Sequence, residues 1–262
     1  MTEAAPAGGW LRVVGLGPGD PAWLLPEARQ TLIDASDLVG YETYLDMVPD
    51  ELRRTQVFHG SDNRVELDRA GHALDLAVAG GRVAVVSSGD PGVFAMAAAV
   101  LEAQFAPGAP DAWLDVDVQV VPGITAALAT AARAGAPLGH DFCVLSLSDN
   151  LKPWAIIERR VRAAMEADLV VALYNPVSRH RPTQLAIAFD VVRQHRAPST
   201  PIILGRDVGR PAESVTVVDL ADVDLSVCDM RTVIIIGSST TQVHRGTSGA
   251  ARVLTPRSYP EA

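Results

Sequence analysis

Four β-favouring apolar residues, Val83-Ala84-Val85-Val86, run without a break into Ser87-Ser88-Gly89 and then Asp90-Pro91-Gly92. So short and apolar a run, bounded by turn residues, reads as a buried strand. Asp90-Pro91 then predicts a helix start, with Asp90 as N-cap and Pro91 as the first helical residue. A buried strand feeding a helix through a glycine turn commits this region to α/β architecture. It also sets the turn at the carboxyl end of a parallel strand, where such sheets bind ligands. Alone, the pattern is ordinary construction, and a plain cap accounts for Asp90 equally well.

Two further segments follow the same plan. Val118-Gln119-Val120-Val121 meets Pro122-Gly123-Ile124-Thr125-Ala126, with Thr125 expected to cap a small-residue helix. Near the start, a strand from Trp10 to Gly15 ends in Gly15-Leu16-Gly17-Pro18-Gly19-Asp20. As a set, these three motifs resemble the signature of the tetrapyrrole (precorrin) methyltransferases, and the resemblance runs from about Val13 to Gly237. It implies two α/β domains of the tetrapyrrole methylase, or class III methyltransferase, type, with S-adenosylmethionine and substrate bound between them. The expected division is 9–122, 123–243 and a tail, 244–262. The resemblance further implies cofactor contacts from Gly89, Asp90, Val93, Thr125 and Ala126, with Pro18, Tyr174 and Val208 as additional candidates. It also implies a homodimer.

A dinucleotide-binding unit is the rival reading of the Gly15 loop, which would make the chain an NAD(P)-dependent oxidoreductase. Its fingerprint requires a third glycine where this chain has Asp20, whose carboxylate would repel a pyrophosphate. Asp37, about 20 residues on, keeps that rival open. A non-catalytic tetrapyrrole carrier is a third possibility.

Composition narrows the classes. The net charge of −9 argues against nucleic acid or an anionic membrane as a partner. Met1–Gly9 has no basic or apolar signal region, and no apolar run approaches the ~20 residues of a membrane span. A cytoplasmic protein is therefore expected. Cys143 and Cys228 lie far apart without a CxxC pattern, and the six histidines are scattered, so no metal site is expected. His140-Asp141 precedes a strand without any Gly-x-Ser-x-Gly elbow, which makes a structural pair the expected reading.

Within the family, Gly40-Tyr41-x-x-Tyr44-Leu45, Ser61-Asp62-Asn63-Arg64, Leu138-Gly139-His140-Asp141-Phe142-Cys143, Ser148-Asp149-Asn150-Leu151-Lys152-Pro153-Trp154 and Leu173-Tyr174-Asn175-Pro176 are similar to the branch that acts on precorrin-3B. That implies methyl transfer to C17 with ring contraction to precorrin-4, or the same step on the cobalt-bearing equivalent. So acidic a substrate requires local positive charge. Arg64 and Lys152 are the chosen substrate candidates, among a wider set that includes Arg53, His59, Arg69, Arg181 and Arg206. Ring contraction needs a base, for which Asp149 and Asp62 are the candidates, with Lys152 as the expected charge partner of Asp149.

Helices are expected at Val65–Ala79, Ile156–Met165 and Pro182–Gln194, and strands at Cys143–Leu147, Leu169–Leu173, Pro201–Gly205, Val215–Val218 and Thr232–Ile236. The last two strands are expected to run antiparallel to each other.

Overall fold

The computed structural model describes residues 8–62, 65–246, 249 and 251–259. The chain divides into two units, Met1–Thr125 and Ala126–Ala262.

The first unit alternates strands and helices: β1 (Trp10–Gly15), α1 (Pro26–Asp34), β2 (Asp37–Tyr41), α2 (Glu42–Leu45), β3 (Val57–Ser61), α3 (Glu66–Val78), β4 (Arg82–Ser87), α4 (Met96–Gln104), α5 (Asp111–Leu114) and β5 (Asp117–Val121). The strands form one parallel sheet in the order β3-β2-β4-β1-β5. Its central strands are mostly apolar because both faces are covered, with Arg12, Asp37 and Arg82 as the charged exceptions. Val83 and Val85 pack with α3 and α4, whereas Ala84 and Val86 pack with Ala28 and Leu32 of α1. The edge strand β3 escapes a reading by hydrophobicity because its sequence, Val-Phe-His-Gly-Ser, leaves Val57 and Phe58 exposed.

The second unit begins with α6 (Ala126–Ala134) and β6 (Gly135–Ala136). It continues through β7 (Phe142–Ser146), α7 (Trp154–Glu166), β8 (Val170–Tyr174), α8 (Gln184–His195), β9 (Pro201–Arg206), β10 (Ser214–Asp219), β11 (Thr232–Ile236), β12 (Gln242–Arg245) and β13 (Ala251–Leu254). Its main sheet has the order β10-β9-β11-β8-β7, parallel only between β7 and β8. Phe189, Ile157 and Val161 of α7 and α8 cover one face; Ala127, Ala131 and Ala134 of α6 cover the other.

Two expectations are corrected here. β10 and β11 do not pair: β9 lies between them and is antiparallel to each, so they share a direction. The segment expected as a tail from residue 244 instead contributes a hairpin, β12–β13, which adds β6 to make a three-stranded sheet. Val253 is its one fully buried side chain, too little apolar character to show in the sequence. Gly135 permits the pairing, since a Cβ there would stand 2.6 Å from the Val253 carbonyl oxygen. No helix among the described residues is long and apolar enough to cross a membrane.

Candidate functional site

The three glycine motifs meet at one place in the first unit. β4, β1 and β5 are neighbours in the parallel sheet, so their carboxyl ends deliver Ser88–Gly92, Gly15–Asp20 and Pro122–Thr125 side by side. Gly17 and Gly89 exchange two backbone hydrogen bonds, of 3.1 and 2.8 Å. Both adopt φ of +70°, the left-handed region open to glycine. Gly15 and Gly123 touch backbone to backbone: a Cβ on Gly123 would lie 2.1 Å from the Gly89 carbonyl oxygen. These glycines let three turns pack against one another, a role the motifs alone did not disclose.

Asp90 completes the junction, and its expected role as N-cap is corrected. α4 starts only at Met96, because Pro91–Ala95 form turns and Phe94 takes φ of +54°. The Asp90 carboxylate instead accepts from the Gly92 N–H (2.8 Å) with one oxygen and from the Gly123 N–H (3.1 Å) with the other. It thereby ties the β4 turn to the β5 turn while remaining partly exposed. Val93 follows in the same turn and donates to the Asp90 carbonyl. Pro18 is buried in the Gly15 loop, and Thr125 is buried directly before α6. Across these turns the side chains include two carboxylates, Asp20 and Asp90, and no Lys, Arg or His. Asp20 caps a 3-10 turn, Pro21–Trp23, through the Ala22 N–H.

In the second unit, polar side chains hold the strand ends. The Tyr174 hydroxyl, at the end of β8, accepts from the Ala127 N–H in the first turn of α6 (2.7 Å), beside Ala126. Asn175, at φ +52°, donates to Ser146 Oγ at the end of β7. Val208 is buried after β9, between Asp207 at φ +51° and Gly209 at φ +81°. The buried Asp207 carboxylate is flanked by Arg206 (3.0 Å) and Arg231 (3.5 Å).

Asp149 lies in the loop after β7, and its expected charge partner is corrected. Its carboxylate pairs with the buried Arg181 (3.6 Å) and accepts from Gln184 Nε2 (3.1 Å). Arg181 also donates to the carbonyls of Leu147 and Asn175, which makes it a brace for this loop rather than a free cation. Burial first, and then the like charge of Arg160, lower Lys152 from its ordinary value. Asp62 is exposed after β3, and its carbonyl accepts from Arg69. Arg64 lies outside the described residues.

Of the wider set of cations, Arg53 binds the carbonyls of Leu45 and Val48, and Arg206 binds Asp229 and Asp207. His140 takes the Asp141 N–H on its ring nitrogen and packs edge-on against Tyr259. Burial, reinforced by Asp229 and Asp224, pushes the Cys228 thiol up to about 11, which leaves it inert at neutral pH. No cluster of three or more metal-ligating side chains occurs among the described residues.

This chain is similar to known proteins over nearly all its length. The profile of the tetrapyrrole (corrin/porphyrin) methylases matches residues 11–224. The chain is 50% identical over 254 residues to a precorrin-3B C(17)-methyltransferase of Sinorhizobium sp, covering 97% of this chain and 98% of that one. It is 42% identical to a probable cobalt-factor III C(17)-methyltransferase of Salmonella typhimurium, over 95% of this chain and 99% of the relative. A crystal structure of the methyltransferase CobJ superposes with a TM-score of 0.88 at 45% identity, covering 95% of this chain and all of that one.

Proposed function

The chain belongs to the tetrapyrrole (corrin/porphyrin) methylases, and from that premise we propose that it transfers the methyl group of S-adenosylmethionine to C17 of precorrin-3B. The step includes contraction of the macrocycle to precorrin-4 and belongs to cobalamin biosynthesis. The observation that carries this reading is 50% identity, end to end, with a relative named for that reaction.

The glycine junction suits the cofactor. When bound, S-adenosylmethionine supplies an electrophilic methyl on a cationic sulfonium. Turns holding two carboxylates and no cationic side chain are a compatible wall for that charge, and an unfavourable one for a pyrophosphate. Bare glycine backbone permits close approach, and Asp90 has acceptor sites left after its two backbone bonds. On this reading Gly89, Asp90, Val93, Thr125 and Pro18 hold the cofactor, with Ala126, Tyr174 and Val208 as further candidates. Asp37 carries no role in a dinucleotide site, since its carboxylate is engaged by His59 and Ser36. A homodimer in the cytoplasm belongs to the same proposal, on the strength of the family likeness.

Methyl transfer to an electron-rich carbon needs alignment and exclusion of water. Contraction also requires a hydroxyl to lose its proton as the skeleton migrates, a step to which a positioned base adds ~10²–10⁴-fold. Asp149 is the candidate base, oriented by Arg181 and Gln184; Asp62 is the alternate. The cobalt-bearing equivalent is the second reading of the substrate, favoured by the 42% identical relative.

The test is the mass of the product formed from precorrin-3B, together with calorimetric titration by S-adenosylhomocysteine and by NADH. Methylated, contracted product and binding of the nucleoside alone are expected. NADH binding would reinstate an oxidoreductase, and binding of neither would favour a carrier. Asp149→Asn should bind both ligands yet form precorrin-4 at least tenfold more slowly; wild-type turnover would remove Asp149 as base.

A further inference from the structure

The first unit holds a cavity at its β3 edge. It measures about 350 Å³ and is bordered by β3 and α3, with Val39, His59, Ser61, Asp68, Arg69 and His72 among its lining residues. Arg69 is its buried cation. The residue is only 4% exposed, yet no ion pair to it occurs among the described residues. Its three hydrogen-bond partners are uncharged, namely Ser61 Oγ (2.8 Å), the Met96 sulfur (3.3 Å) and the Asp62 carbonyl, while the charges of Glu66 and Asp62 act on it without forming a direct ion pair. A guanidinium has five N–H donors, so two remain unassigned, and thioether sulfur is a weak acceptor for a third. Buried cations are ordinarily paired with an anion.

A relay of side chains completes the cavity. Asp37 Oδ1 lies 2.8 Å from His59 Nε2, and His59 Nδ1 lies 3.1 Å from His72 Nε2. An ionised carboxylate only accepts, so Asp37 places the His59 proton on Nε2 and leaves His59 Nδ1 to accept from His72. His72 thus keeps Nδ1, its remaining ring nitrogen, as a donor when protonated. Asp68, exposed on the same helix, also lines the cavity, but Arg69 has the buried position where a charge pair is least screened.

We propose that this cavity is a subsite for one carboxylate side chain of the tetrapyrrole substrate, with Arg69 as its charge partner and His72, oriented through His59 and Asp37, as a second donor. The proposal rests on the tetrapyrrole reading above. It also supplies the direct ion-pair partner that the buried guanidinium does not have among the described residues.

The test uses Arg69→Gln and His72→Phe in the full chain, with precorrin-3B for kinetics. Uroporphyrin III, as the octacarboxylate and as its octamethyl ester, serves as the stable binding probe. Each variant should raise KM for precorrin-3B at least tenfold, hold kcat within about twofold and leave S-adenosylhomocysteine affinity unchanged. Octacarboxylate affinity should fall in parallel while the ester's does not. Unchanged KM and octacarboxylate affinity in a folded variant would overturn the subsite, as would equal losses for acid and ester, which indicate packing alone. If Arg69→Gln does not fold, His72→Phe decides by the same criteria. If the wild type makes no product from precorrin-3B but still discriminates acid from ester through Arg69, the reaction assignment fails and the subsite stands.

Discussion

The first unit ends three neighbouring strands in bare backbone, and the second ends its strands in side chains. At β4, β1 and β5 the turns are zipped through Gly15, Gly17, Gly89 and Gly123, with Asp90 as the one clasp. At β8 and β9 the left-handed positions belong to Asn175 and Asp207, which Ser146, Arg206 and Arg231 hold in place. A junction of backbone tolerates no Cβ and so cannot vary without collapsing. A junction of side chains distributes its strain and its hydrogen bonds over many residues, each of them individually replaceable. The first kind makes a rigid platform, and the second can be tuned to what it faces.

The largest expected effect attacks that platform. Gly123→Ala drives a Cβ to 2.1 Å from the Gly89 carbonyl oxygen, where only backbone movement gives relief. A loss of about 3 kcal/mol or more is expected, read as a lower denaturant midpoint. Wild-type stability would mean that the turns part easily and the comparison fails. Next comes Asp90→Ala, which frees the N–H groups of Gly92 and Gly123. It should cost about 2–3 kcal/mol and weaken S-adenosylhomocysteine binding at least tenfold, with Asp90→Asn intermediate. A fall in stability alone would reduce Asp90 to a clasp.

Smaller effects are expected in the second unit. Tyr174→Phe removes the acceptor for the Ala127 N–H and should cost about 1 kcal/mol, because one neutral hydrogen bond is lost among several supports. A loss as large as that for Gly123→Ala would erase the contrast between the units. The mildest test is acid. Burial would raise Asp168, but hydrogen bonds from Ser239, the Arg196 charge and the Tyr259 hydroxyl together hold it below its ordinary value. Its folded value lies below its unfolded one, so its stabilisation is complete above roughly pH 4 and is lost as pH falls through the folded value. The stability of Asp168→Asn should therefore depend less on pH between 5 and 2 than that of the wild type.

The same contrast explains what the amino-acid sequence made legible. The parallel sheet could be read because Val83–Val86 and Trp10–Gly15 are covered on both faces and are therefore apolar but for Arg12. The glycine turns could be read because only glycine serves at their crossings. β3 was missed because an exposed edge strand needs no apolar pattern, and the β12–β13 hairpin because one buried valine anchors it. Asp90 was misassigned because Asp-Pro-Gly fits a helix cap as well as it fits a turn. The partner that decides the case, Gly123, lies 33 residues away. Likewise Lys152 looked closest to Asp149 along the chain, while the fold brings Arg181 to it. Local spacing reports local chemistry, and contacts made by tertiary packing leave no mark in it.

The central claim is that the zipped turns of the first unit are the cofactor platform, and amide hydrogen exchange with and without S-adenosylhomocysteine tests it most directly. The account predicts added protection at Gly89–Val93 and Gly123–Thr125, and none on addition of NADH. Tight binding of S-adenosylhomocysteine that leaves both segments exchanging at their unliganded rates would contradict it.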